Sequence, residues 1–364
     1  FTSQDVDAMW GNFYTQALEN NYLLIQQADE GGYNQYAGVG RICMAYTLQV
    51  VVDSWGNVPY SEAFRGLDNL HPGYDNAQAI YDSIGSMIDA GIANLNNPNT
   101  GVLVPGADDF IYGGDADKWI KFGHAIKARL AIHQSKQSSQ KAQEALDEIQ
   151  LSFAGNDDNA QFIFGTTSTS AAPWFQFNTQ RGDISFSGST LAASLTALND
   201  PRYPIFIDDA NDVNGTGLAA YYGSSNSPVE FICYDELEFI EAEAILRLSG
   251  DIPSAQEAYQ EGITANMQKL GVSDADITTY LANNGTLPDD PKDAINQVAI
   301  QADIALYLNP EAWTTYRRTG SPSLIPVDGT DIPRRILYPQ TEYSYNADHV
   351  PASTLYTPVL FWDN

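Results

Sequence analysis

Basic residues are scarce: 17 Lys and Arg stand against 46 Asp and Glu, a formal charge of −29. Such a chain repels phosphate backbones unless it gathers a local basic patch. Arg317-Arg318 and Arg334-Arg335 are isolated pairs, so no nucleic-acid partner is expected and the acidity reads as a solvated surface. Cysteine is rarer still. Cys43 and Cys233 form no CxxC, which excludes a zinc ribbon or a thioredoxin-type motif. Both lie among apolar neighbours, and two buried free thiols are expected rather than a bridge. No apolar run approaches the roughly 18 residues that a membrane-crossing helix needs. Charged residues of both signs make up only 17%, below the usual quarter. Asn, Gln, Ser, Thr and Tyr take their place, and a surface of neutral hydrogen-bonding groups suits neutral polar ligands. The sequence starts at Phe1 and enters a helical pattern almost at once, so an upstream segment with any export signal is expected to have been removed.

Catalytic signatures are also lacking. HExxH, the phosphate-binding GxxxxGK[ST] and GxSxG do not occur. Gly215, Gly217 and Ala220 fit a GxGxxA pattern but follow an Asp/Asn loop instead of a strand. The four histidines are scattered. His124 and His133 share a predicted helix nine residues apart, on opposite faces, and cannot chelate one ion. Asp208–Gly215 is rich in oxygen ligands, with Asp209, Asn211, Asp212 and Asn214 as calcium candidates. Its alternation misses the EF-hand register, and a solvated turn is the preferred reading. No cofactor is expected.

What the chain does have is helical periodicity. Trp10, Phe13, Ala17 and Leu18 predict a helix over 5–27, closed by Gly31-Gly32. Tyr36, Val39, Cys43, Tyr46 and Val50 predict a second, ending near Asp53, and Ile80 to Leu95 a third. Residues 115–150 read as a helical hairpin broken at Ser138-Ser139. Residues 235–271 read as another, turning at Gly250-Asp251-Ile252-Pro253 and closed by Gly271. A last long helix is predicted from Asp293 to Tyr316. The two hairpins match tetratricopeptide-type units in architecture. The expected fold is mainly α, a single domain of helix pairs forming a curved scaffold over about 1–152 and 235–320. It carries a loop-rich insertion over 153–234 with few short strands, and an irregular tail over 321–364.

The insertion is where binding groups are expected, because loops on a rigid scaffold usually carry function. Trp174-Phe175-Gln176-Phe177-Asn178, Arg181 and Tyr221-Tyr222 lie in polar surroundings. A sugar ring has an apolar C–H face and a polar rim. Aromatic planes would cover the face while amides or Arg181 take the hydroxyls, and each ring covering about 60 Å² would contribute roughly 1.5 kcal/mol.

Several stretches resemble one family. Trp55-Gly56-Asn57-Val58-Pro59-Tyr60, Asp117-Lys118-Trp119-Ile120-Lys121-Phe122, Asp200-Pro201-Arg202-Tyr203-Pro204 and Glu238-x-x-Glu241-Ala242-Glu243-Ala244 occur in the order expected of it. Glu311-Ala312-Trp313 with Tyr316-Arg317-Arg318-Thr319-Gly320, then Pro333-Arg334-Arg335 with Tyr338-Pro339 and the closing Leu360-Phe361-Trp362-Asp363, complete the series. Together these stretches are similar to the SusD/RagB-like outer-membrane nutrient-binding lipoproteins. The resemblance implies a tetratricopeptide-like helical fold, an oligosaccharide or other nutrient as ligand, and a SusC-like TonB-dependent transporter as partner. It also implies a surface lipid anchor, the sole tie to the membrane, whose cysteine is not among these residues, and no catalysis. The motifs themselves read as scaffold: Trp119 and Trp313 lie on helix stripes. An α-helical glycoside-cleaving enzyme and a helical-repeat adaptor without a small ligand stay open as alternatives.

Overall fold

A computed structural model describes residues 1–326 and 329–364; Val327 and Asp328, within the tail read as irregular, lie outside the described residues. The chain is mostly helical, with two short strands. It divides into two compact units, Phe1–Ser152 with Pro326–Asn364, and Phe153–Ile325.

In the first unit helical structure runs through α1 (Asp7–Gly11), a π-helical stretch Asn12–Leu18, and α2 (Glu19–Gly31). Gly32 ends it at φ +70°, where the Tyr33 amide reaches back to the Ala28 carbonyl at 2.8 Å. Then follow α3 (Asn34–Trp55), α4 (Ala77–Asn96), α5 (Ala116–His133) and α6 (Ser139–Ile149). Sequential helices pack on one another: α2 on α3, α3 on α4, α4 on α5, α5 on α6. Their starts are chemically set. The side chains of Asn76, Asp115 and Ser138 accept first-turn amides of α4, α5 and α6. Ser138 thus explains the break in periodicity.

The stripe expected on α3 is not its buried face. Tyr36, Val39, Cys43, Tyr46 and Val50 are half-buried, while Ile42, Ala45, Leu48, Val51 and Val52 are fully buried. The helix is apolar nearly all round because α2, α4 and α5 all pack on it. At the α3–α4 crossing Gly38 meets Gly91: a Cβ on Gly38 would lie 2.8 Å from the Gly91 carbonyl oxygen, so only hydrogen fits.

The C-terminal residues complete this unit. The Trp362 indole is fully buried and donates to Asp53 Oδ1 at 3.0 Å. The Ile336 amide donates to the Ser54 carbonyl, and the Tyr338 hydroxyl donates to the Asn57 carbonyl at 2.6 Å. Between those contacts Gly56 sits at φ +79°, which fixes glycine in the Gly56–Pro59 turn. The tail also forms a short helix, Gln340–Tyr345, which the proline- and glycine-broken pattern did not reveal.

The second unit opens with β1 (Ala160–Ile163) and a run of short helices: α7 (Pro173–Arg181), α8 (Thr190–Ala197), α9 (Tyr203–Phe206), α10 (Asp209–Asp212) and α11 (Ala220–Gly223). β2 (Pro228–Ile232) pairs antiparallel with β1, with an irregularity between Ala160 and Gln161. Longer helices follow: α12 (Tyr234–Leu248), α13 (Ile252–Lys269), α14 (Asp274–Asn284), α15 (Pro291–Ala305) and α16 (Pro310–Thr319). The single helix expected over 293–316 is therefore two. Pro310 has no amide to continue a helix, Leu308 turns at φ +65°, and Asn309 caps α16.

Phe239, Leu246, Tyr259, Ile263, Met267 and Val298 belong to the core of the long helices. A second cluster joins Phe186, Leu195, Phe206, Leu218 and Tyr222 to Leu270 and Ile304, and so clamps the short helices to the long ones. Buried ion pairs brace the unit. Arg202 binds Asp200 at 2.6 Å and also donates to Asn266 and Gln301. Glu243 accepts from Arg318 at 2.9 Å and Arg247 at 2.7 Å. The Asp200-Pro201-Arg202, Glu243 and Arg318 motifs are thus structural, which matches their reading as scaffold.

Candidate functional site

The segment carrying the candidate aromatics is a helix, not a loop. Pro173 occupies the first turn of α7, where its missing amide costs nothing, and Gly182 closes the helix at φ +67°. Helical spacing then sorts the side chains. Trp174, Phe177 and Arg181 stand three and four residues apart and share the outer face. Trp174 is 40% exposed and Phe177 37%. Their rings meet edge to face at 6.0 Å and 77°, and the Arg181 guanidinium lies 5.2 Å from the Phe177 ring centre. Arg181 is exposed and pairs with Asp183 at 3.0 Å.

The other face of α7 belongs to the fold. Asn178 is buried, accepting from the Leu218 amide at 3.4 Å and donating to the Leu218 carbonyl at 3.5 Å. Gln176 donates to the Ala171 carbonyl at 2.7 Å, and Phe175 is half-buried. The Ala172 amide, just before the helix, donates to the Ser225 carbonyl at 2.7 Å, tying α7 to the turn after α11.

Tyr221 and Tyr222 are placed differently from the expectation. Tyr222 is 5% exposed and lies in the second cluster against Phe206. Both hydroxyls donate to Glu230, at 2.8 and 3.2 Å, and Lys269 Nζ reaches the same carboxylate at 3.2 Å and Asp235 at 3.0 Å. Burial pushes both tyrosine hydroxyls up, and the Glu230 charge adds to it. Burial alone would lower Lys269, but Asp235 and Glu230, among other neighbours, hold it charged. These two tyrosines and Asn178 are therefore held within the packing, because the surrounding Ser, Gly and Asn residues serve turns instead of marking a surface. The outward set is Trp174, Phe177 and Arg181.

The calcium candidates lie in a hydrogen-bonded turn, the reading preferred for them. Asp208 caps α10, accepting from the Ala210 and Asn211 amides and from Asn211 Nδ2. Asp209 accepts from the Tyr203 hydroxyl at 2.8 Å, and Asp212 from Ser185 Oγ at 3.0 Å and the Phe186 amide. Asn214 continues the same turn through its amide on the Asn211 carbonyl. Among the described residues this segment gathers no three acidic ligand atoms; its oxygens hold turns. Elsewhere, His124 bonds Glu148 at 2.6 Å and His133 bonds the Tyr81 hydroxyl at 2.9 Å. Cys43 and Cys233 are free thiols.

Tyr203, beside Asp209, was absorbed in the sequence by the Asp200–Pro204 motif. Its partly open position shows only once α9 and α10 are formed.

Long helix pairs thus hold a set of short helices in place, and one of these, α7, turns an aromatic pair and a guanidinium outward. The comparisons give the family. The family model described as "Starch-binding associating with outer membrane", SusD-like, matches residues 2–339, and the chain belongs to the SusD-like family. Among solved structures, a SusD-like protein from Bacteroidetes is similar at 20% identity and a TM-score of 0.85, over 100% of this chain and 90% of that one. A SusD/RagB family protein from Bacteroides thetaiotaomicron shares 24% identity at 0.77, over 100% and 88%. A chitin-binding SusD homolog from Flavobacterium johnsoniae shares 20% at 0.79, over 98% and 86%. Among curated proteins none matches the sequence. Among the described residues no helix is long and apolar enough to cross a membrane.

Proposed function

We propose that this protein binds an oligosaccharide at the outer face of a Gram-negative outer membrane, held there by a lipid anchor, and passes it intact to a SusC-like TonB-dependent transporter. Family membership, the family's description as outer-membrane-associated and the chitin-binding relative support the reading. The observation that carries it is the outward face of α7. Trp174 and Phe177 offer ring surface to the C–H face of a sugar, and the exposed Arg181, whose Nε and Nη2 donate to Asp183, offers its Nη1 protons to the hydroxyls. Ligand orientation follows from that pairing: apolar face on the rings, polar rim toward the guanidinium.

The test is isothermal titration with the strongest glycan from an array screen, using wild type, Trp174→Ala and Phe177→Ala. If each ring covers about 60 Å² of sugar, each loss is roughly 1.5 kcal/mol, or about tenfold in affinity. Unchanged affinity in both variants removes the assignment of this face. Mass spectrometry of the recovered ligand tests the transport role: shortened chains would mean the protein cleaves its cargo.

A further inference from the structure

We propose that the second unit carries an additional carbohydrate subsite, a groove beside α8 that takes a neutral sugar ring and rejects an acidic one. The proposal rests on the glycan-binding reading above. The groove has a volume of about 570 Å³ and lies between the loop that precedes α8, one side of α8, and the turn from α9 into α10.

Its α8 wall is built from small side chains. Ala192 and Thr196 form one ridge of the helix and Ala193 and Ala197 the next, each pair four residues apart. Methyl groups along about 7.5 Å of helix give a flat apolar wall, long enough for the C–H face of one pyranose ring. Larger residues at these positions would fill the space.

The opposite side is polar and acidic. Tyr203 donates to Asp209 Oδ1 at 2.8 Å, which fixes the carboxylate. Asp209 is exposed, and its second oxygen makes no hydrogen bond among the described residues, so it is ready to accept from a sugar hydroxyl. Asp212 supplies the second carboxylate and Ser187 an exposed hydroxyl. Among the described residues no lysine or arginine lines the groove. Two carboxylates with no counter-cation welcome hydroxyl donors and repel a uronate or a sulfate.

The groove is held in shape before any ligand arrives. Asp212 accepts from the Phe186 amide and from Ser185 Oγ, Ser189 caps α8, and the Ser189 amide returns to the Phe186 carbonyl at 2.9 Å. Phe186, Leu195, Phe206 and Ile207 anchor the walls from below in one buried cluster. A preset groove does not give up affinity to order itself on binding. It also lies close along the chain to the α7 face. Arg181 and Phe186 are five residues apart, so their Cα atoms are at most about 18 Å apart, and Ile184 between them is pinned by its amide to the Gly215 carbonyl at 2.7 Å.

The experiment screens wild type, Ala193→Trp, Asp209→Lys and Trp174→Ala on an array of neutral oligosaccharides and of tetragalacturonate. Titration then follows with the strongest neutral hit. Ala193 is exposed on α8, so tryptophan there blocks the groove from outside and leaves α7 untouched. The expected result is about tenfold weaker neutral binding in Ala193→Trp, the loss of one ring's contacts. Asp209→Lys is expected to raise tetragalacturonate binding relative to the neutral hit. Neutral binding by Ala193→Trp at wild-type strength overturns the groove, as does a wild type that prefers tetragalacturonate. If Ala193→Trp fails to fold by circular dichroism, Asp209→Lys decides, and an unchanged neutral-to-acidic ratio overturns the groove. Wild-type affinity in Trp174→Ala with loss in Ala193→Trp sinks the α7 assignment and keeps the groove. A wild type that binds no glycan overturns both.

Discussion

Glu238 on α12 is expected to make stability fall as pH rises through neutrality, and Glu238→Gln to remove its share of that fall. The side chain is 8% exposed. Burial raises its carboxyl, the Tyr234 hydroxyl opposes the rise by hydrogen bonding to the anion, and the Glu241 and Glu261 carboxylates reinforce it, leaving Glu238 at about 7 in place of 4.5. The folded protein therefore keeps a proton over a range in which the unfolded chain has released it. A group raised by folding contributes its full stability below the unfolded value and loses it as pH climbs through the folded one. At about 1.36 kcal/mol per pH unit, ionised Glu238 costs on the order of 3 kcal/mol above about pH 8. Glutamine has the same shape, accepts from Tyr234 equally well and cannot ionise. Thermal unfolding of wild type and Glu238→Gln at pH 4.5 and pH 8 should show equal Tm values at the lower pH. At the higher pH the variant should lead by several degrees, given roughly 2–4 °C per kcal/mol for a unit of this size. Because both proteins share every other titrating group, the difference isolates this one. A difference that does not change with pH would refute the reasoning, as would a variant less stable than wild type at pH 8.

Three further outcomes follow from the packing. Burial would raise Glu243, but Arg318 and Arg247 overcome it and hold the carboxyl at about 2. Its contribution is therefore present above pH 4.5 and lost as pH falls toward 2, and Glu243→Gln at pH 7 should cost about 3–5 kcal/mol by taking this carboxylate from Arg247 and Arg318, read from denaturant unfolding. Gly38→Val should force α3 from α4 and cost at least about 1–3 kcal/mol, whereas Gly85→Ala, an α4 position with open space around its added Cβ, should be neutral or slightly stabilising in the same assay. Burial pushes the Cys43 thiol up to about 12, with Asp109 adding to the rise, and drives Cys233 up as well. Ellman's reagent should therefore leave buried Cys233 unlabelled and half-buried Cys43 slow to label in the native protein, with two per chain labelled in denaturant, and fast native labelling of two thiols would contradict this.

The long helices were readable because each presents enough apolar residues at helical spacing: α5 with α6, and α12 with α13, fall where the pattern put them. So were the turns that demand a residue type, such as Gly56 at positive φ and Pro253 in the first turn of α13. α7 was not readable as a helix. Its sequence, PWFQFNTQR, has no apolar stripe, and the helix stands by its Pro173 and Gly182 ends and by docking through Asn178 onto Leu218. Without that helix the shared outward face of Trp174, Phe177 and Arg181 could not be seen, nor could Asn178 be set apart from it. Tyr222 shows the opposite limit: local polarity suggested a surface, but its hydroxyl meets Glu230 and its ring meets Phe206, partners that only the tertiary fold supplies.

The polypeptide leaves its first unit at Ser152 and comes back at Pro326. On a ribosome, the opening helices must wait for the whole intervening unit to emerge before Trp362 can reach Asp53 or Ile336 can reach Ser54. The half that is made first is finished last. A nascent chain halted just before that return would present α3 with part of its burial missing, while every residue of the inserted unit has already been made.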